Sequence, residues 1–173
     1  MFNNIMTLEF INENISIKLV DKYKGTPFEG YSFLTNGNKG TFGESFTSKY
    51  LTLLGHNVSS RTNTGHDRTV NGIKTEIKFS LADYDKSFNC VLNHISKDKD
   101  WDRLIYTIIN SNESDFKMIW FTKKSFIEMI NTTDIFSHQQ GGKSVNNDDY
   151  MVSGQRKILE LINHPLVKDI SEW

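Results

Sequence analysis

The dipeptide Asn71-Gly72 lies between two β-prone runs, "HDRTV" and "IKTEIKFS". Both central positions of a tight type I′ turn need positive φ, which Asn and Gly accept most readily, so this pattern is the strongest short-range hairpin signal. Such a turn also fixes register: Val70 pairs with Ile73, and Asp67 then falls directly opposite Glu76. Alternation sends Ile73, Thr75, Ile77 and Phe79 to one face of the second strand, and Lys74, Glu76, Lys78 and Ser80 to the other. Lys78 lies diagonal to Asp67. Cross-strand partners have Cβ atoms about 4.5–5.5 Å apart, and like charges so placed are destabilising. A divalent cation is the simplest group that would offset the repulsion. One or two carboxylates completed by water and substrate phosphate are how Mg²⁺ is usually held, and an ammonium alongside would counter charge building on a phosphoryl group. The plain alternative is a surface hairpin whose solvated face carries an incidental Glu and Lys pattern.

The rest of the chain supplies a frame for that hairpin. "KGTPFEGYSFLTNGNKG" (24–40) reads as loop and turns, rich in Gly and Asn. "TFGESFTSKYLTLLG" (41–55) carries Phe42, Phe46, Tyr50 and Leu53 or Leu54 at helical spacing and stops on Gly55. Strands are expected at 56–60, on both sides of the turn, and at 87–93, 102–110 and 116–122; the last two are rich in Ile, Tyr, Phe and Trp and read as buried central strands. Short helices are expected at 124–130 and 154–164. Residues 1–20 are compatible with helix or strand. The order predicts an α/β fold, with a central mixed β-sheet flanked by helices and covered on both faces.

Composition narrows the function classes. A chain of 173 residues fits one domain, 1–173, and with 37% hydrophobic and 12% aromatic residues it is expected to fold. No apolar run approaches the roughly 20 residues of a membrane span, and the N-terminal stretch lacks a basic-then-apolar signal. The expectation is a cytoplasmic protein with no membrane partner. The lone Cys90 excludes an internal disulfide and a multi-cysteine zinc site. Net charge is −1, unlike a non-specific nucleic-acid binder, although local patches matter more than the total. Cations do cluster at Lys97 and Lys99, Lys123 and Lys124, Lys143, and Arg156 and Lys157, but Asp98 and Asp100 interleave with the first pair. Taken singly, each cluster reads as a solvated face.

"GHD" followed on the next strand by "EIK" resembles the PD-(D/E)xK nuclease superfamily, which includes many type II restriction endonucleases and some Holliday-junction resolvases. The resemblance covers about residues 38–122 and departs from the usual pattern in having His66 where a proline commonly precedes the Asp. It implies a restriction endonuclease-like fold and a Mg²⁺ held by Asp67, Glu76 and the backbone carbonyl of Ile77, with Lys78 assisting the attacking water. Glu44, in "FGESF", matches a position where many members carry a further acidic residue. A glutamate in the first turn of a helix is equally explained by the helix dipole, and the adjacent Gly43 hints at a close approach. Asn93 or His94 would reach the site if not simply buried or capping, and His66 is expected to be packed or on the surface. The polar loop "HQQGGKSVNND" (138–148) lacks the spacing of a phosphate-cradling P-loop. In a nuclease, its Gln139, Gln140, Lys143 and Asn146 would contact DNA, and an ordinary surface loop is the alternative.

The expected activity is therefore Mg²⁺-dependent hydrolysis of phosphodiester bonds in double-stranded DNA by a type II restriction enzyme, and the resemblance further implies a homodimer. The alternatives are a structure-selective nuclease such as a junction resolvase or repair enzyme, a non-catalytic DNA-binding relative, and a protein-interaction domain with a fortuitous motif.

Overall fold

In a computed structural model, residues 21–60, 65–112, 115–139 and 149–173 are described. The chain is mixed α/β, as expected. In order it forms α1 (Asn36–Leu53), β1 (Arg68–Val70), β2 (Ile73–Leu81), β3 (Val91–Ser96), β4 (Arg103–Asn110), β5 (Asp115–Thr122), α2 (Lys123–Thr132), β6 (Ser137–His138), β7 (Asp149–Ser153), α3 (Gln155–Ile162) and β8 (Lys168–Asp169). No helix among these residues is long and apolar enough to cross a membrane.

Five strands make a mixed sheet in the order β1-β2-β4-β5-β8. Only the β2–β4 contact is parallel; the others are antiparallel. β4 is central and buried from Leu104 to Asn110, as its near-continuous apolar run predicted. Its side chains alternate between two cores. Ile105 packs towards α1 with Leu51, Val70, Met118 and Trp120. Leu104, Tyr106 and Ile108 face the larger core.

That larger core departs from a plain helix-sheet-helix sandwich. It is closed by a second sheet, ordered β3-β7-β6, together with α2 and α3. Leu92, Ile95 and Val152 from this sheet meet Phe126, Met129, Ile158 and Leu161 from the helices. The β3–β7 ladder slips between Leu92 and Ile95, where His94 takes a left-handed φ of 54°. Bulges of this kind bend a strand and re-aim a side chain.

Several local differences have clear causes. α1 starts at Asn36, earlier than expected, because the Thr35 side chain accepts from the Asn38 amide and caps it. Residues 56–60 form only one bridge, Val58 to Val70, instead of a strand. The strand expected from residue 87 begins at Val91: Phe88 has a φ of 56° and donates its amide to the Asn110 side chain at 2.7 Å, which holds residues 83–90 in turns. The expectation for residues 1–20 lies outside the described residues.

A candidate active site at the open end of the hairpin

The hairpin forms with the expected register: Val70 to Ile73, Thr69 to Lys74 and Arg68 to Thr75. There β1 stops, while β2 continues to Leu81, so part of the β2 edge has no strand beside it. A cleft of about 780 Å³ opens on that edge. Its floor is Glu76 to Leu81, with Gly40 and Glu44 of α1 on one wall and Val91, Asn93 and His94 of β3 on the other.

Asp67 is not a simple cross-strand partner of Glu76. Its amide donates to the Thr75 carbonyl at 3.1 Å, one residue short of the expected register. Its carboxylate Oδ2 accepts the Ile77 amide at 2.8 Å, taking the place of a strand partner on the edge of β2 away from β4. The two carboxylates are nevertheless close enough to sense each other. Burial first, and the Glu76 charge second, push the Asp67 carboxyl above its ordinary value; the Ile77 N–H, Lys78 and Lys99 oppose them. In an extended strand a residue's N–H and C=O point to the same edge. Donation from Ile77 to Asp67 therefore puts the Ile77 carbonyl on the Asp67 edge as well.

Glu76 is only 3% exposed, which is incompatible with an incidental carboxylate on a solvated face. Burying a carboxylate is unfavourable unless it is paired and hydrogen-bonded. Two ammoniums meet that need at the same oxygen: Lys78 lies 2.9 Å and Lys99 3.3 Å from Glu76 Oε1. Lys78 belongs to the predicted set. Lys99 does not, because the sequence places it among compensating aspartates. The structure sends one of those neighbours elsewhere: Asp100 pairs with Lys74 at 2.8 Å.

Glu44 lines the same cleft but is not in the first turn of its helix, since α1 begins at Asn36. The dipole explanation for it therefore lapses. Its carboxylate lies 3.5 Å from the Arg68 guanidinium, both side chains being largely buried. Arg68, the residue after Asp67, has no motif or spacing in the sequence that marks it as part of the site. Gly43 is the close approach its position hinted at: a methyl group there would overlap the Phe79 side chain. His66 is packed, at 9% exposure.

Among the DNA-contact residues expected in the polar loop, Gln140, Lys143 and Asn146 lie outside the described residues. Gln139 is described and reaches the cleft wall: its Oε1 accepts the His94 amide at 2.8 Å, and its Nε2 lies 3.3 Å from His94 Nε2. His94 also lies 3.5 Å from Asp149. The cleft thus brings together Asp67, Glu76, Ile77, Lys78 and Glu44, with His94 on the far wall and Gln139 behind it as its hydrogen-bond partner.

Among the described residues, no three His, Cys, Asp or Glu side chains form a group fit for a metal ion. A Mg²⁺ ordinarily needs only one or two carboxylates, with water and substrate oxygens completing its shell. Two crowded carboxylates and a backbone carbonyl on one cleft edge fit that oxygen-only donor set. Compared with models of known protein families and with curated proteins, the chain matches none.

Proposed function

We propose that the protein is a Mg²⁺-dependent endonuclease acting on double-stranded DNA, with a restriction endonuclease-like core and its active site in the cleft at the end of β2. The observation that carries this reading is the buried Glu76, set beside a second carboxylate whose ionisation it opposes and held by two ammoniums at the edge of an open cleft. A structural ion pair would need one partner for each charge and no neighbouring acid.

In this reading Asp67, Glu76 and the Ile77 carbonyl hold the ion. Bound there, Mg²⁺ would polarise the phosphodiester and make its water a better nucleophile. Lys78, held against Glu76 at 2.9 Å, keeps an ammonium next to the attacking water and stabilises charge growing on the phosphate. Glu44, tied to Arg68, supplies a further negative wall that orients water on the α1 side. His94 and Gln139, joined to each other, face the incoming strand. Gln140, Lys143 and Asn146 belong to the same proposed DNA-contacting loop, and two copies of the chain would meet a twofold DNA site as a homodimer.

The test is cleavage of long unmethylated DNA with Mg²⁺, with EDTA, and with a Lys78→Ala variant. Discrete bands that need Mg²⁺ and fall by about 10²-fold or more in the variant are expected. Equal cutting by the variant would remove the proposed centre, and cutting of branched but not plain duplex DNA would replace a restriction activity by a structure-selective one.

A further inference from the structure

We infer that Lys99 is a second working ammonium of this cleft: it shields Glu76 while the ion is absent and turns to a substrate phosphate oxygen once the ion takes its place. The inference rests on the proposed nuclease reading and deepens it.

The geometry separates the two lysines that share Glu76 Oε1. Lys78 comes from the same strand, is 18% exposed and sits at 2.9 Å. Lys99 comes from the connection between β3 and β4, is 45% exposed and sits at 3.3 Å. The shorter, more buried contact is the one to persist. Lys99 has room in the cleft to swing on a flexible four-carbon stem.

Its connection is fastened on every side except at that stem. The Trp101 indole donates to the Ser96 carbonyl at 2.9 Å and is 1% exposed. The Asp102 amide donates to Lys74, and Lys74 in turn pairs with Asp100. Lys123 donates to the Lys99 carbonyl at 2.6 Å. Gly65, with a φ of +67°, leaves only enough space for the Asp100 backbone to pass. A backbone held at this many points delivers one ammonium to one carboxylate reproducibly, which a casual surface lysine does not need.

A divalent cation and an ammonium cannot share the same face of a carboxylate oxygen without strong repulsion. Ion uptake therefore displaces the looser ammonium. A phosphate bound over the ion offers the displaced ammonium a new partner, and Lys99 moves from acid to substrate with no change in the backbone. Glu76 keeps a full set of cationic partners in both states, and the Lys99 charge is released to the phosphate only when the ion is present.

Three proteins, the native chain, Lys99→Ala and Lys99→Arg, test this with two readouts other than activity. Calorimetric titration with Ca²⁺ in the absence of DNA should give tighter binding for Lys99→Ala by about three- to tenfold, since a competing charge a few ångströms away is gone. Binding of a mixed-sequence duplex in Ca²⁺ across a salt series should give a slope of log K against log salt that is shallower by about 0.9 for Lys99→Ala, the loss of one phosphate contact, and restored in Lys99→Arg. Unchanged Ca²⁺ affinity and slope in Lys99→Ala, with the native chain binding both ligands, would overturn the inference and leave the nuclease reading intact. Tighter Ca²⁺ with an unchanged slope would overturn the transfer to phosphate. A native chain that takes up neither Ca²⁺ nor DNA would overturn both.

Discussion

At the scale of single residues, Asp67 and Glu76 are set against each other in opposite senses. Asp67 sits where burial and the neighbouring acid both disfavour its charge, so its carboxyl is raised. A carboxyl raised on folding binds protons more readily in the folded chain than in the unfolded one. Its charge therefore subtracts stability at neutral pH, and the deficit disappears as pH falls through the raised value. Asp67→Asn is accordingly expected to be more stable than the native chain at pH 7 without divalent ions. A Tm gain of about 2–4 °C corresponds to roughly 1 kcal/mol in a chain of this size. The gain should vanish in acid and be reversed when Mg²⁺ stabilises only the native chain. Glu76→Gln should do the opposite at neutral pH. It leaves Lys78 and Lys99 facing a buried amide, and removing one partner of a buried pair costs about 3–5 kcal/mol, less here because both lysines are partly exposed. Thermal melts of the two variants from pH 4 to 8 decide it. Two variants that both lose stability at pH 7 would mean that the pair is structural.

At the scale of elements, the contact that brings α1 down onto β2 depends on one missing methyl. Gly43 faces Phe79, whose ring is also edge-on to Phe42 at 5.4 Å and to Phe46 at 5.9 Å. Gly43→Ala improves helix propensity by about 1 kcal/mol, so a helix judged alone would be stabilised. Overpacking of the Phe79 contact outweighs that, with an expected net loss of about 1–3 kcal/mol read as a lower urea midpoint at unchanged slope. A higher midpoint would show that α1 can shift freely. The same contact illustrates what the sequence made legible. The Asn-Gly turn, the apolar runs of β4 and β5, and the helical spacing after Thr41 all carry local signals, and all three elements appear. On α1, however, the buried positions are Gly43, Thr47 and Leu51, while Phe42, Phe46 and Tyr50 are half-buried and Leu53 and Leu54 are exposed. The first turn of α1, "NGNKG", is poor in helix formers and reads as loop; it is helical although Asn36, Gly37, Asn38 and Gly40 are exposed, with the Thr35 side chain capping it. β6 and β8 are two residues each and exist only through partners distant in sequence, Met151 and Tyr150 for one, Ile119 and Trp120 for the other. No local pattern could announce them. Among the site residues, Asp67, Glu76 and Lys78 were legible because a turn fixes their spacing, whereas Lys99 and Arg68 become functional candidates only through tertiary contacts.

At the scale of the whole molecule, the cleft lies where two sheets approach without merging. Its floor is the uncovered edge of β2 in the five-stranded sheet, and one wall is β3 of the three-stranded sheet. Ser80 stitches the two by donating to the Val91 carbonyl at 2.7 Å, and Tyr106 reaches Ser80 at 3.0 Å from beneath. Tyr106 is buried, and burial holds its hydroxyl well above its ordinary value, so that seam is neutral and would not compete for a cation bound in the cleft. A duplex entering this cleft must touch both sheets and α1, but not the far edge of the five-stranded sheet, where Arg103 lies over the Trp120 and Trp173 rings at 4.3 and 4.7 Å. Amide hydrogen exchange on the DNA complex, with Ca²⁺ as the bound ion, should therefore slow in three segments that are separate in sequence: 36–44, 76–81 and 91–94. Residues 168–173 and α3 should exchange as in the free chain. Protection confined to one of the three segments would place DNA along a single wall, and protection at 168–173 would move the binding site to the far edge of the sheet. The three-segment pattern is the more demanding outcome, because it requires the register of one two-residue turn, the glycine-dependent seating of α1 and the bulge at His94 to present their side chains to the same strand of DNA.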